Sequence, residues 1–223
     1  MPAQNQILLE LHYLPSVQYF TKLLHYPAVF LEAQEHYQKG SYRNRCEIAG
    51  ANGILRLSIP LEKGKNEQQS IQEVRIAYHE PWQAHHWESI KSAYGNAPFF
   101  LHYADMIQPF YEKHYTLLWD WNWDLLKTIF QLIGIQLDIQ FTNEYQKIAP
   151  PEMLDIRNAI HPKAHRRQHD NCFKAIRYPQ VFEEKHGFLG NLSILDLLFC
   201  TGPEALSILH SSFANDHMLD ASE

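Results

Sequence analysis

Arg43, Asn44 and Arg45 interrupt an apolar, strand-forming stretch just before a turn at Asn52 and Gly53. In an extended chain, alternation sends Tyr42, Asn44, Cys46 and Ile48 to one face and Arg43, Arg45 and Glu47 to the other. Two guanidiniums on one face form a fork for phosphate or carboxylate. Asn44, on the apolar face, is then a buried amide that must be fully hydrogen-bonded or cost about 1–3 kcal/mol. On this arrangement Arg43→Ala leaves the melting temperature of the free protein nearly unchanged. The competing reading is a solvated strand face beside a structural amide, because exposed charges contribute little.

Four other groups have the types and spacing for chemistry. His12 follows the first apolar stretch, where ligands of open α/β sheets bind, and suits general acid/base work. Trp87, Lys91 and Tyr94 fall on one helical face, so Lys91 between two aromatics is either desolvated towards amine or base chemistry or extended past them to water. His161, His165 and His169 would stack on one face of a helix, as metal ligands do. Their segment is almost wholly polar and lacks the buried support that ligands need. An exposed loop meeting an anion through Lys163 and Arg166 is the stronger reading, and no metal is expected. Asp196, within an apolar helix, reads as structural.

The elements that must position these groups follow from periodicity. Residues 6–12 read as a strand, 17–26 as a helix capped by Ser16, and 28–33 as a second strand, which together make a βαβ unit with parallel pairing. Residues 42–48 and 54–61 form a hairpin. Residues 63–70 read as an exposed loop and 71–77 as a strand. Helices are expected over 82–94, 98–119 and 122–133, the last closed by Gly134. Residues 137–142 read as the final strand, and 148–179 as a long irregular region. Two helices, 191–200 and 203–210, end the fold. Asn191 and Ser193 are both candidate caps for the first, and Gly202 and Pro203 separate the pair. The expectation is one α/β domain over residues 1–223, with a mixed, partly parallel sheet, a helical middle and a C-terminal helical pair.

Composition limits the function. A net charge of −6 argues against nucleic-acid binding through a basic surface, although 14 histidines bring the charge towards neutral in mild acid. Cys46, Cys172 and Cys200 are widely spaced and make neither a zinc signature nor a disulfide framework. No apolar run approaches a membrane span, and the first residues lack the basic start of a signal peptide. A soluble cytoplasmic protein is the expectation. No GxGxxG, Walker loop, GxSxG or HExxH is present, so no cofactor is specified and familiar nucleotide or hydrolase machinery is not indicated.

The stretches LPSVQYFTKL (14–23), SYRNRCEIAGANG with LSIP (41–60), HWESIKSAYGNAPFF (86–100) and YPQVFEEKHGFLGNLSILDLLFCTGPEAL (178–206) resemble the WbqC-like protein family. Together they span most of the chain. Many members carry a His-Gln-Pro motif after the first strand. Here the stretch reads His12, Tyr13, Leu14, Pro15, without the glutamine. The family is associated with bacterial surface-polysaccharide gene sets. The resemblance implies a transferase adding an amino-acyl or other acyl group to an activated amino sugar, with a sugar nucleotide or acyl donor as its anionic partner. On that reading Arg43 and Arg45 hold the anion, Asn44 orients the site, Lys91 and Tyr94 line the pocket, and His12 is the base. The alternative is a non-catalytic binding or scaffold protein. It predicts an exposed apolar patch among Tyr111, Trp119, Trp121 and Trp123, with no polar pocket.

Overall fold

The first three expected elements form as a βαβ unit: β1 (Gln6–Leu9), α1 (Val17–His25) and β2 (Ala28–Leu31), with β1 and β2 parallel. The computed structural model describes residues 5–62 and 69–214, so most of the predicted 63–70 loop lies outside the described residues. A separate antiparallel hairpin follows, β3 (Arg45–Gly50) and β4 (Gly53–Ser58). The helical middle is α2 (Trp82–Tyr94), α3 (Phe100–Ile107) and α4 (Leu118–Ile133), and Gly134 closes α4 at φ +79°. Then come β5 (Ile139–Phe141), β6 (Met153–Asp155), the short α5 (Glu183–His186), α6 (Ile194–Thr201) and α7 (Ala205–Ser211).

The main sheet has four strands in the order β5-β2-β1-β6, and every pairing is parallel. The chain therefore moves outward from β1 through β2 to β5, and returns on the other side of β1 as β6. That reversal makes the carboxyl ends of β1 and β6 the topological switch point of the sheet, the standard ligand position in such folds.

Register divides the sheet into two unlike faces. Ile7, Val29, Ile139 and Leu154 share one row, and with Leu9 and Leu31 they pack into the core. Phe20 of α1 meets the edge of Phe130 of α4 at 6.0 Å, and all eight residues of α6 are buried. The opposite face, with Leu8, Phe30, Gln140 and Met153, lies instead in a cleft of about 390 Å³ bordered by residues 142–146. Parallel sheets are usually covered on both faces. Here irregular chain between β5 and β6 stands where a second helical layer would be.

Several expected elements are corrected. Tyr42–Asn44 is a 3-10 turn, its first free N–H accepted by the Ser41 hydroxyl, so strand alternation begins only at Arg45. Ile71–Glu73 is likewise a 3-10 turn, and the strand expected over 71–77 reduces to isolated bridges of Ile76 with Leu61 and Arg75 with Leu117. The long helix expected over 98–119 stops at Ile107, because Pro109 can neither donate to a helix nor fit its preceding turn. The region read as irregular contains β6, a strand too short for its periodicity to register. Among the described residues no helix is long and apolar enough to cross a membrane.

Candidate functional site

The carboxyl end of β1 leads directly into Glu10 and His12. Two residues apart in extended chain, they point the same way, and His12 Nε2 lies 2.9 Å from Glu10 Oε1. Burial pushes the Glu10 carboxyl up, but Arg43 and His12 outweigh it and hold it at about 2. Glu10 is thus an ionised acceptor, so Nε2 is the donor and the lone pair of a neutral His12 ring sits on Nδ1. His12 is 1 % exposed, and its Nδ1 has no hydrogen-bond partner. The rings of Tyr19 and Tyr42 pack at 4.8 and 5.5 Å from the imidazole and fix its plane.

Around this pair the carboxyl ends of the other strands supply charge. Asn158, just beyond β6, donates its backbone N–H to Glu10 Oε2 at 2.9 Å, and does so in the left-handed region at φ +62°. Arg157 binds Glu32, which follows β2, at 2.7 Å and Asp155, which ends β6, at 2.6 Å. Thr142, which follows β5, donates to Glu32 at 2.5 Å. All four strand ends are thereby joined through polar side chains. A second cleft, of about 280 Å³, opens on the core side between α1 and the segment after β6, lined by Gln18, Lys22, Ile156, Gln168 and Asp170 among others.

Arg43 is the largest departure from alternation. The 3-10 turn rotates it inward to zero exposure, where it meets Glu35 through two hydrogen bonds of 2.6 and 2.5 Å. Its remaining Nη1 lies 3.7 Å from Glu10 Oε1 and makes no hydrogen bond. Burial outweighs the Arg43 charge beside it, so the Glu35 carboxyl stays raised, to about 7. Arg43 and Arg45 therefore do not form the exposed fork that strand geometry predicts. Arg45, half-buried at the start of β3, also retains an unbonded guanidinium nitrogen, Nε.

Asn44 is buried, donating to the Ile59 carbonyl at 2.8 Å and accepting from the Tyr37 hydroxyl at 2.9 Å. Tyr94 and Lys91 occupy a different neighbourhood. The Tyr94 hydroxyl accepts from the Ala49 N–H at 3.0 Å beside Phe199, whereas Lys91 is exposed and pairs with Glu88 at 2.9 Å. Lys91 is thus the solvated lysine rather than the desolvated one. Asp196 is buried and accepts from Tyr178 at 2.7 Å and Gln180 at 2.6 Å, a structural role. Ser193 caps α6, while Asn191 bonds Gln18 instead.

The three histidines do not share a helical face. Only Ala164–Arg166 forms a 3-10 turn there, His161 is buried and His165 and His169 are exposed. Among the described residues no group of His, Cys, Asp or Glu side chains has the arrangement of a metal site. The aromatic patch expected of a scaffold is divided: Tyr111 and Trp121 are buried, whereas Trp119 and Trp123 are partly exposed and pack on Phe141, itself 39% exposed.

Sequence reasoning singled out His12 but not the acids that the structure places around it and Arg43. Glu10 had a readable signal, an acid spaced two residues from the histidine. Glu32 and Asn158 had none, because they meet Arg157 and Glu10 only through strand order, and Glu35 meets Arg43 only because a 3-10 turn carries the arginine inward.

An uncharacterised protein of Mycobacterium tuberculosis, Rv1507c, is 25% identical over 215 residues, covering 87% of this chain and 92% of its own. No solved structure matches. A family-wide profile, described as the WbqC-like protein family, matches residues 11–168 and so takes in His12, the hairpin and the segment after β6, though not the block 178–206. A match over that share of the sequence places the chain in the WbqC-like protein family.

Proposed function

We propose that the protein is a transferase that moves an acyl or amino-acyl group onto the amine of an anionic, activated amino sugar, as part of bacterial surface-polysaccharide synthesis in the cytoplasm. The observation behind this reading is the buried His12, whose Nε2 is held by an ionised Glu10 while Nδ1 is left without a partner at the carboxyl end of β1. A carboxylate that fixes one ring nitrogen leaves the other as a base of defined direction. In the step, the sugar nitrogen bonds to the acyl carbon, the bond from that carbon to its carrier breaks, and His12 Nδ1 takes the amine proton.

Family membership supports the class of substrate, and the clefts of about 280 and 390 Å³ beside the strand ends support a small-molecule site. Arg45 is the guanidinium left with bonding capacity for the anion. Arg43 is a positioning residue, acting through Glu10, and Asn44 holds the turn that presents both arginines. Tyr94 and Lys91 belong to the wall formed by α2 rather than to the reacting centre. The scaffold alternative keeps a partly exposed aromatic surface at Trp119, Trp123 and Phe141, while the clefts beside the strand ends favour the small-molecule reading.

The test is an assay of purified protein against a panel of amino-sugar nucleotides and acyl donors, read by mass spectrometry of the sugar product. Acylated sugar from the wild type, with none from His12→Gln, is the expected result. No product and no thermal shift with any member of the panel contradicts the reading.

A further inference from the structure

The segment following β6 is electrically unlike the rest of the chain. Residues 156–169 contain Arg157, Lys163, Arg166 and Arg167 with three histidines and no acid, in a protein of net charge −6. Arg157 is neutralised by Glu32 and Asp155. Lys163, Arg166 and Arg167 make no ion pair among the described residues, and all three are exposed. Unpaired cations gathered on one short segment repel each other, and an anion relieves that cost.

This segment lies against the turn at Gly40 and Tyr42 that flanks the buried His12. The Lys163 side chain crosses Gly40, with Nζ 3.3 Å from where a Cβ would stand. Gly40 takes φ +80°, which also favours glycine. Arg167 is anchored by donating from Nε to the His161 carbonyl at 3.2 Å, and its charge reaches the Tyr42 phenol that packs on His12. His161 itself is buried, accepts the Lys163 N–H at 3.0 Å, and lies within electrostatic range of Glu10. Buried there are two polar atoms without hydrogen bonds, His12 Nδ1 and Arg43 Nη1.

We infer that Lys163 and Arg167 form a clamp for a diphosphate, holding the phosphoryl groups of the activated sugar so that its sugar ring lies over His12. This inference rests on the transferase reading and names the part of the substrate that the chain grips. One mobile ammonium and one planar guanidinium, each anchored by its backbone or stem to the same turn, suit two linked phosphates better than a single carboxylate.

The experiment is isothermal titration of the full chain with inorganic pyrophosphate, UDP-N-acetylglucosamine and N-acetylglucosamine, repeated with the Lys163→Ala/Arg167→Ala protein. Both substitutions are on exposed side chains, and circular dichroism checks that the fold is kept. Pyrophosphate and the sugar nucleotide should bind the wild type, and both should weaken at least tenfold in the double variant. Lys127→Ala, an exposed lysine of α4, should bind as the wild type does. The neutral sugar should bind neither protein detectably. Equal pyrophosphate binding by wild type and double variant overturns the clamp, as does no binding by the wild type. His12→Gln separates the two claims: it should keep pyrophosphate affinity while losing transfer. If wild-type protein binds pyrophosphate through Lys163 and Arg167 but transfers nothing, the clamp stands and the transferase reading fails.

Discussion

The Glu10 carboxylate accepts the backbone N–H of Asn158 at 2.9 Å, a bond that closes the gap between the carboxyl ends of β1 and β6. Glu10 thereby serves two neighbours at once, orienting His12 with one oxygen and pinning the segment after β6 with the other. The strand ends, His12 and the cationic segment are consequently one mechanical unit.

Burial of Arg43 reverses the expectation drawn from strand alternation. Arg43→Ala leaves Glu35 buried without its partner and strips one positive charge from beside Glu10. Breaking a buried ion pair from one side costs about 3–5 kcal/mol, so the melting temperature should fall by roughly 10 °C. Arg43→Met/Glu35→Leu removes both charges and should recover much of that loss. Differential scanning calorimetry of the two proteins decides it. An unchanged melting temperature for Arg43→Ala would return the residue to a solvent-facing role.

His12→Gln keeps a donor within reach of Glu10 and removes the basic lone pair. Loss of a general base typically lowers turnover by about 10²–10⁴-fold. The melting temperature should move little by comparison, because the imidazole site remains filled. A kcat within a factor of a few of wild type would exclude His12 as the base.

Acid should destabilise the protein in two separable steps. Burial pushes His86 down to about 4 where it packs beneath Tyr13, so its neutral form is favoured in the fold. A histidine with a depressed folded value stabilises above its unfolded value near 6.5 and loses that contribution as pH falls towards 4, about 3 kcal/mol in all. Glu10, held at about 2, keeps its contribution above its ordinary value of 4.5 and loses it only between there and 2. Melting curves at pH 7.5 and 4.5 should therefore show a larger drop for wild type than for His86→Gln. Equal drops would remove His86 as the first acid-sensitive group.

Gly202 joins α6 to the C-terminal turn at φ +55°, and a Cβ there would stand 2.6 Å from Phe99 Cγ. Gly202→Ala combines backbone strain with overpacking, each costing about 1–3 kcal/mol. A loss of more than about 2 kcal/mol in denaturant unfolding is expected, while Gly134→Ala, where nothing crowds the added atom, should cost less. The reverse ranking would mean that the Phe99 contact yields freely.

Much of the architecture is legible because strong periods and caps act locally. The β1–α1–β2 unit, the hairpin, α2 and α4 with its glycine cap all follow from residues within one element. The site is less legible because its geometry comes from strand order and one turn. Ser41 caps a 3-10 turn that carries Arg43 inward, and a two-period pattern has no means of showing it. Met153–Asp155 is three residues long and becomes a strand only by pairing with β1, so its role in bringing Asn158 to Glu10 stays hidden in the chain. Lys91 misled for the opposite reason: its aromatic neighbours are real, but the side chain turns to Glu88 and water.

The most direct test of the central claim is a ¹H–¹⁵N correlation spectrum of the labelled protein titrated with UDP-N-acetylglucosamine and UDP-amino-sugar analogues. The account predicts saturable shifts at Glu10, His12, Asn158, Lys163 and Arg167, converging on one dissociation constant. Shifts confined to the α2 face around Lys91, or no saturable shift from any sugar nucleotide, would contradict a site at the carboxyl ends of β1 and β6.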